Sequence, residues 1–326
     1  MATAVILVQM GSPDEPTTAA VKSYLRQFLS DPRVIDVPRW LWGPLLNGII
    51  LPLRSPRSAA LYRHIWRDDG LAPLYYHTRR QAEAVSHDLG ANIVVRYAMR
   101  YGQPALATVI NELLDHGCDQ MLIFPLFPHY SGATHASIVD MVYRTVHQRR
   151  ALPTLRFAAP FFDDPAYLRA LVQRVEMLAT SVRNLRQHFF LFSFHGLPQR
   201  HVNEGDPYQR QCQVTAEKLV TALSLPEKQW AVTFQSRFGR SKWLQPATDQ
   251  WLKTLPQQGH KGVVVICPGF VSDCLETLEE IGQQGRQLFL DQGGSSFQLL
   301  PGLNDSGAWL AALTGLVRRE LSGWGP

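Results

Sequence analysis

The sequence predicts an α/β fold built from two doubly wound, Rossmann-like halves, each with a four-stranded parallel sheet flanked by helices. Two observations predict it: short apolar runs rich in β-branched residues alternate with longer stretches of helical period, and the apolar runs form two sets of four. Strands are expected at residues 4–9, 92–98, 121–127, 155–158, 188–194, 230–235, 263–267 and 297–300. Because ligands bind at the carboxyl ends of parallel strands, we expect the active site in the cleft between the halves.

Helical periodicity fills the segments between these strands. Helices are expected at residues 17–30, 74–89, 104–116, 165–184, 207–223, 246–255 and 306–322. Several open with Pro, which suits a first helical turn because the N–H that Pro lacks would have no partner there. We expect an N-terminal half at 1–152 with a pocket lip at about 40–75, a C-terminal half at 153–305, and a last helical segment at 306–326 that packs back on the N-terminal half.

Composition indicates a globular, cytoplasmic protein. The chain has 326 residues, of which 45% are hydrophobic, so it can build full cores. The four cysteines are Cys118, Cys212, Cys267 and Cys274. They form no CxxC pair, and the N-terminus lacks a charged region ahead of a cleavable apolar core, which favours a reducing compartment. The net charge of +5 is spread along the chain, so nucleic-acid binding is not indicated.

The motifs of the common nucleotide-dependent and serine-hydrolase chemistries are missing. The sequence contains no GxGxxG after a strand, no GxxxxGK[ST] and no GxSxG. These absences count against nucleotide-dependent chemistry.

One apolar segment bears on membranes. Residues 40–53 read WLWGPLLNGIILPL, which is shorter than the roughly twenty residues that span a bilayer. The segment suits a pocket mouth or peripheral contact with a bilayer surface, and it equally suits a buried helix and turn flanked by Arg39 and Arg54. The sequence leaves both interpretations open.

His195 is the first candidate for chemistry. It follows an apolar strand, and Gly196 and Pro198 force the backbone to turn directly after it. The imidazole is therefore expected to project from the carboxyl end of the strand, where it can bind a metal or accept a proton. A hydrogen-bonded structural histidine is the alternative.

Three carboxylates follow the strand at 263–267. On a regular helix Asp273, Glu276 and Glu280 are spaced by three and four residues and share one face. Like charges one turn apart raise the pKa of at least one carboxyl, which suits proton acceptance or the passage of a hard cation. The alternative is an acidic first turn that complements the helix dipole, with Asp273 as the capping residue.

These two motifs, with others in register, resemble the ferrochelatase family. The resemblance is carried by SFHGLPQR, GDPYQRQC, TFQSRFGRSKWLQPATD and CPGFVSDCLETLEEI, and towards the N-terminus by VILVQMGSPDEPT, YLRQFLSDPRVID, MRYGQPAL and FPLFPHYS. It runs essentially from end to end. It implies an enzyme that inserts Fe²⁺ into protoporphyrin IX, the terminal step of haem biosynthesis, and releases two protons. It also implies that this enzyme uses no nucleotide or organic cofactor, since Fe²⁺ is a substrate.

The resemblance also implies roles for residues. His195 and Glu276 face each other across the porphyrin and share metal binding and proton abstraction, while Glu280 and Asp273 extend a polar path for the metal. The porphyrin-binding residues implied are Met10, Arg54, Tyr62, Tyr130 and Trp243. Relatives that act on coproporphyrin tend to carry Tyr where this chain has Met10, which favours protoporphyrin IX.

Departures from the family pattern limit what it implies. Cys274 stands where some relatives have His, and it is either a soft metal ligand or a buried structural thiol. No cysteine follows Cys274, so the iron–sulfur cluster of some relatives is not expected, and the missing C-terminal extension favours a monomer. Three alternatives stay open: a tetrapyrrole or metal carrier without catalysis, a chelatase for coproporphyrin or another metal, and an unrelated α/β metabolic enzyme.

Overall fold

The protein folds into two compact units. The computed structural model describes residues 2–147, 149–182, 184–239 and 241–324. The first unit comprises Met1–Phe127, Ser131–Ala159 and Leu313–Pro326, and the second comprises Pro128–Tyr130 and Pro160–Ala312.

A four-stranded parallel sheet forms the centre of the first unit. Its strands are β1 (Ala2–Gln9), β2 (Ile93–Met99), β3 (Cys118–Pro125) and β4 (Thr154–Phe157), in the order β2-β1-β3-β4. Ala4 to Val8 of β1 are completely buried, as expected for a central strand with helices on both faces. Ile6 packs with Val109 and Ile138 in the core on one side of this sheet.

The second unit repeats this topology. Its strands are β5 (Phe189–His195), β6 (Trp230–Gln235), β7 (Gly262–Ile266) and β8 (Ser296–Leu299), in the parallel order β6-β5-β7-β8. Leu191 of β5 packs with Leu252 and Phe289 in its core. This confirms the prediction of two four-stranded parallel sheets flanked by helices. The prediction succeeded because the apolar runs are too short for buried helices and are separated by segments of helical period.

Helices connect the strands. In chain order they are α1 (Thr18–Leu29), α2 (Arg39–Leu45), α3 (Leu51–Ile65), α4 (Pro73–Leu89), α5 (Leu106–Asp115), α6 (Ser137–Val146), α7 (Pro165–Ser181), α8 (Gln199–Asn203), α9 (Tyr208–Leu223), α10 (Thr248–Thr254), α11 (Arg286–Asp291) and α12 (Gly307–Leu321). The side chain of Asp164 accepts hydrogen bonds from the first turn of α7, whose N1 residue is Pro165. In the parts of the chain that the structure describes, no helix has both the length and the apolar character needed to cross a bilayer.

Two of the predicted helix starts are wrong. α5 and α10 begin two residues after Pro104 and Pro246 rather than at them. The carbonyl oxygens of these prolines accept hydrogen bonds from Met99 N at 2.8 Å and from Phe234 N at 2.9 Å. Each proline is thus held beside the end of β2 or β6, and the helix starts only beyond this contact.

Among the residues that the structure describes, three segments form π-helix, with i→i+5 hydrogen bonds. They are Leu46–Ile50 between α2 and α3, Gly132–Ala136 before α6, and Glu276–Gly285 before α11. The expectation of a regular helix through Asp273, Glu276 and Glu280 is therefore wrong: Asp273 precedes the helix, and Glu276 is its first residue. π-Helical turns are rare and frequently lie at functional sites, which makes the segment at Glu276–Gly285 a candidate for one.

Candidate functional site

The candidate site lies at the carboxyl edge of the second sheet. In the order β6-β5-β7-β8, the chain leaves β5 towards β6 and returns as β7 on the opposite side of β5. Such a reversal opens a crevice between the two connections, and ligands of doubly wound sheets bind there. His195 ends β5, and the π-helix that starts at Glu276 follows β7. The sequence motifs therefore meet at the switch point of this sheet.

The backbone around His195 is tightly constrained. Gly196 N donates to the carbonyl oxygen of Gln235 at 2.7 Å. A Cβ at Gly196 would lie 2.6 Å from that oxygen and 3.1 Å from the ring of Trp243, so only glycine fits. The turn after β5 is thus held against the end of β6.

The imidazole of His195 is half-buried. Its Nδ1 lies 2.6 Å from the carbonyl oxygen of Gly196, and the ring of Phe270 lies 6.3 Å away between centroids. The hydroxyl of buried Tyr208 is hydrogen-bonded to the backbone of His195, and burial raises the pKa of Tyr208 well above its ordinary value. Tyr208 thus stays a neutral support at neutral pH.

Glu276 is half-buried at the start of the π-helix. Its backbone carbonyl accepts a hydrogen bond from Gln235 Nε2 at 2.9 Å. The thiol of Cys274 is hydrogen-bonded to the Glu276 carboxylate, and burial first and this carboxylate second raise the pKa of Cys274 well above its ordinary value. A thiol that keeps its proton is a weak metal ligand, which favours the structural interpretation of Cys274.

Glu280 lies one turn further along the π-helix. Its carboxylate accepts hydrogen bonds from both the backbone N–H, at 2.6 Å, and the hydroxyl of Ser236. Burial raises the pKa of Glu280, the bonds from Ser236 and the nearby His195 lower it, and Glu276 raises it. The net direction is upward. Glu280 is therefore electrostatically linked to both His195 and Glu276.

Asp273 has different partners. Its carboxylate accepts hydrogen bonds from Thr277 Oγ1 at 2.9 Å, from Asn304 Nδ2 at 2.7 Å and from Gly302 N at 3.2 Å. Asn304 Oδ1 in turn accepts from Asp273 N at 2.9 Å. Asp273 is thus used to tie the start of the π-helix to the segment that follows β8.

Within the described residues, no group of three or more His, Cys, Asp and Glu side chains is arranged so that it could hold a metal ion. The donor types at the switch point are an imidazole and carboxylates, which are ligand types that divalent first-row metals accept.

A pocket opens beside Glu280. It has a volume of about 630 Å³ and is open to solvent. Glu280 and Gln284 line one side, and the segment after β6 lines the other with Ser236, Arg237 and Lys242. Of the three carboxylates discussed above, Glu280 is therefore the one that borders this solvent-open pocket.

Of the residues implied for porphyrin binding, Met10, Arg54 and Tyr62 belong to the first unit. Met10 follows β1, is half-buried, and its carbonyl accepts from Tyr101 N at 2.9 Å. Arg54 and Tyr62 are both on α3, the former exposed and the latter buried against Trp66.

Tyr130 and Trp243 belong to the second unit. Tyr130 is half-buried, and its backbone N–H donates to Gln211 Oε1 at 2.7 Å. Trp243 is buried, its Nε1 donates to the Phe238 carbonyl at 2.9 Å, and its ring packs against Gly196 beside His195.

Sequence reasoning gave no role to three residues that the structure brings to this site. They are Tyr208, Gln235 and Ser236, which contact His195, Glu276 and Glu280 respectively. All three lie in motifs that carried the resemblance, GDPYQRQC and TFQSRFGRSKWLQPATD. Their positions in these motifs were the available signal. The contacts join residues 13, 41 and 44 positions apart, and such contacts have no periodic pattern in the sequence.

Comparisons with known proteins agree with the motifs. A family model described as Ferrochelatase matches residues 2–321. The chain is 46% identical over 319 residues to a ferrochelatase of Cronobacter sakazakii, covering 97% of each chain. It is 49% identical over 317 residues to a ferrochelatase of Sodalis glossinidius, covering 97% of this chain and 93% of that protein. A ferrochelatase of Methylibium petroleiphilum is 46% identical over 324 residues, with 98% of this chain and 88% of that protein covered.

Solved structures show the same architecture. SirB from Bacillus subtilis with Fe³⁺ superposes with a TM-score of 0.56 at 12% identity, covering 99% of this chain and 97% of that chain. The sirohydrochlorin chelatase SirB from Bacillus subtilis subspecies spizizenii in complex with cobalt also gives 0.56 at 12% identity, covering 98% and 95%. At this identity the likeness concerns the fold alone.

Proposed function

The chain belongs to the ferrochelatase family, and from that premise we propose that it inserts Fe²⁺ into protoporphyrin IX to give protohaem, with release of two protons. The observation that carries the proposal is the pairing of an imidazole, His195, with the carboxylates Glu276 and Glu280 at one switch point, in a chain that matches ferrochelatases over nearly its whole length.

The proposed reaction needs a base and a metal donor. Two pyrrole N–H protons must leave the macrocycle, and one Fe²⁺ must replace them. A planar porphyrin hides its nitrogens, so the enzyme gains rate by binding the bent ring more tightly than the flat one. We assign proton removal and iron delivery jointly to His195 and Glu276, since neutral imidazole and carboxylate can each perform either task.

Glu280 continues this site outward in our proposal. A carboxyl whose pKa is raised by burial can take up a proton from the interior and release it to the adjoining pocket. When ionised, the same group attracts a hydrated divalent cation from that pocket. Asp273 acts one step further away, by holding the start of the π-helix from which Glu276 projects.

For the porphyrin we propose contacts with Met10, Arg54, Tyr62, Tyr130 and Trp243. A guanidinium at Arg54 suits the propionates, which are the only charged groups of the macrocycle's rim. A thioether at Met10 is polarisable and adapts to a ring that changes shape. Met10 stands where relatives that act on coproporphyrin tend to carry Tyr, which supports protoporphyrin IX as the proposed substrate.

We also propose that residues 40–53, which are the apolar part of the pocket lip, touch an anionic lipid surface. Trp40, Ile49 and Leu53 have exposed fractions of 75%, 53% and 59%. Exposed Arg39 and Arg57 flank them, so apolar insertion and attraction to anionic headgroups would act together. The alternative of a fully buried helix and turn is wrong, because these side chains face solvent.

The test is metalation in vitro. The purified protein is incubated without oxygen with Fe²⁺ and protoporphyrin IX, and separately with coproporphyrin III, while loss of free-base porphyrin fluorescence and gain of haem absorbance are followed. We expect multiple turnovers with protoporphyrin IX. Turnover of coproporphyrin III alone would overturn the substrate, and stoichiometric binding of both without metalation would make the protein a carrier.

A further inference from the structure

Gln235 joins the two segments that carry the candidate site. It is the last residue of β6, it pairs in register with His195 of β5, and it is only 3% exposed. A buried amide at the end of a strand is costly unless its polar atoms are paired, so its partners indicate what holds it there.

All the polar groups of Gln235 facing this site are in use. Oε1 accepts from Ser193 Oγ at 2.6 Å and lies 3.7 Å from Cys267 Sγ. Nε2 donates to the Glu276 carbonyl at 2.9 Å, and the backbone carbonyl of Gln235 accepts from Gly196 N at 2.7 Å. One residue thus bonds to the residue after His195 and to Glu276 itself.

The orientation of the amide follows from these partners. The Glu276 carbonyl can only accept, so the nitrogen of the amide must face it, and the oxygen then faces the hydroxyl of Ser193 and the thiol of Cys267. The side chain has no second arrangement that satisfies the same groups. It therefore acts as a spacer of fixed length between the two segments.

We propose that Gln235 is a positioning residue that sets the separation of His195 and Glu276. The inference rests on the proposed function. In the proposed reaction, one metal ion and two protons are exchanged within a shared site, so the distance between the groups that handle them matters. Replacing a residue that orients such groups typically lowers metal affinity or activity by about 10- to 100-fold. A misplacement of reacting groups by about 1 Å can lower the rate by about 100-fold.

The next residue supports this assignment independently. Ser236 donates to both oxygens of the Glu280 carboxylate, with its backbone at left-handed φ of +63°. Non-glycine residues adopt this conformation only where surrounding contacts enforce it. Gln235 and Ser236 together thus hold the first turn of the π-helix at Glu276 and at Glu280, its two ends.

The experiment compares Gln235→Leu and Gln235→Glu with Thr233→Val. Thr233 is a buried residue of the same strand whose hydroxyl accepts from Thr248 Oγ1 at 2.9 Å, so its variant loses a buried hydrogen bond of the same network without touching Glu276. Steady-state metalation gives kcat and the KM values for Fe²⁺ and porphyrin. Amide hydrogen exchange over residues 276–285, without substrates, reports on the π-helix directly.

We expect Gln235→Leu to lower kcat by about 10- to 100-fold with a change in porphyrin KM below about threefold, and to speed amide exchange over 276–285. Thr233→Val should leave kcat and the amide exchange over 276–285 close to their wild-type values. If Gln235→Leu does not fold, Gln235→Glu carries the test, since it keeps the volume and the acceptor for Ser193 but sets an oxygen against the Glu276 carbonyl.

Two results overturn the inference. One is a folded Gln235 variant whose kcat equals that of the wild-type protein, provided that the wild-type protein is active. The other is a loss of kcat no larger than that of Thr233→Val with unchanged exchange over 276–285. An inactive wild-type protein instead contradicts the proposed function, while the exchange data still show whether Gln235 holds the π-helix.

Discussion

The Nδ1 atom of His195 lies 2.6 Å from the carbonyl oxygen of Gly196. A carbonyl can only accept, so Nδ1 carries the proton of the neutral ring and the lone pair is on Nε2. The turn at Gly196 thus selects the tautomer as well as the direction of the imidazole. A nitrogen with an available lone pair at the switch point can bind Fe²⁺ or accept a pyrrole proton.

Replacing His195 by Ala should abolish metalation and leave the porphyrin dissociation constant within about tenfold of wild type, because the lost group acts on metal and protons rather than on the ring. Fluorescence titration gives the affinity, and haem absorbance gives the rate. His87→Ala is the matched control, since that side chain is 89% exposed. Full activity of His195→Ala would remove the residue from the mechanism.

Glu276→Gln should slow metal insertion by about 10²- to 10⁴-fold without unfolding the protein, because the amide keeps the size of the side chain and loses its charge and basicity. The hydrogen bond from Gln235 Nε2 to the backbone carbonyl of Glu276 is unaffected by this change. Stopped-flow metalation measures the rate, and thermal unfolding followed by circular dichroism measures stability. An unchanged rate would leave the carboxylate as part of a helix start only.

Asp273→Ala should lower the free energy of unfolding by about 3 kcal/mol, because several buried donors lose a charged acceptor. The KM for Fe²⁺ should stay close to wild type, since the carboxylate is bonded to Thr277, Gly302 and Asn304. Urea unfolding and metal titrations of activity check the two statements. Unchanged stability with a raised KM for Fe²⁺ would return Asp273 to the metal path.

His135 should make the protein sensitive to acid. Burial lowers the pKa of this imidazole to about 4, from an ordinary value of 6.5. The unfolded chain therefore binds more protons than the folded one in this interval, so stability is complete above pH 6.5 and falls as the pH drops towards 4, by up to about 3 kcal/mol.

The measurement for His135 is the urea midpoint as a function of pH. His135→Leu should flatten the dependence between pH 6.5 and 4, because the side chain no longer takes up a proton on unfolding. His116→Leu serves as the control, since that histidine is exposed. Equal pH profiles for His135→Leu and wild type would contradict the prediction.

Binding to anionic vesicles should depend on the lip. The double variant Trp40→Ser, Ile49→Ser should weaken vesicle binding by about 100-fold or more, because each apolar side chain contributes about 1.5–3 kcal/mol when it is fully buried and every 1.4 kcal/mol is about tenfold in affinity. Leu152→Ser is the control, an exposed leucine outside the lip. Equal sedimentation of both variants, or no binding by wild type, would contradict a lipid-facing lip. As a check that the control variant is intact, Leu152→Ser should metalate detergent-solubilised porphyrin at the wild-type rate.

The fold was accessible from sequence because its signals are local. Apolar β-branched runs and helical periods each act over a few residues, and they predict all eight strands to within about three residues. The turn residues Gly196 and Pro198 likewise indicate where His195 leaves its strand. Helix type was not accessible: the spacing of Asp273, Glu276 and Glu280 fits a regular helix, and the π-helix that forms instead depends on contacts beyond the segment.

By itself, the sequence determined the order of strands and helices, the two candidate residues His195 and Glu276, and membership of a family. Only the tertiary structure decided which groups these residues meet. The bond from Gln235 to Glu276 spans 41 residues, and the bond from Asn304 to Asp273 spans 31. Such contacts form when the sheet brings remote strand ends to one edge, so no local pattern encodes them, and the role of each carboxylate follows from its partners rather than from its spacing.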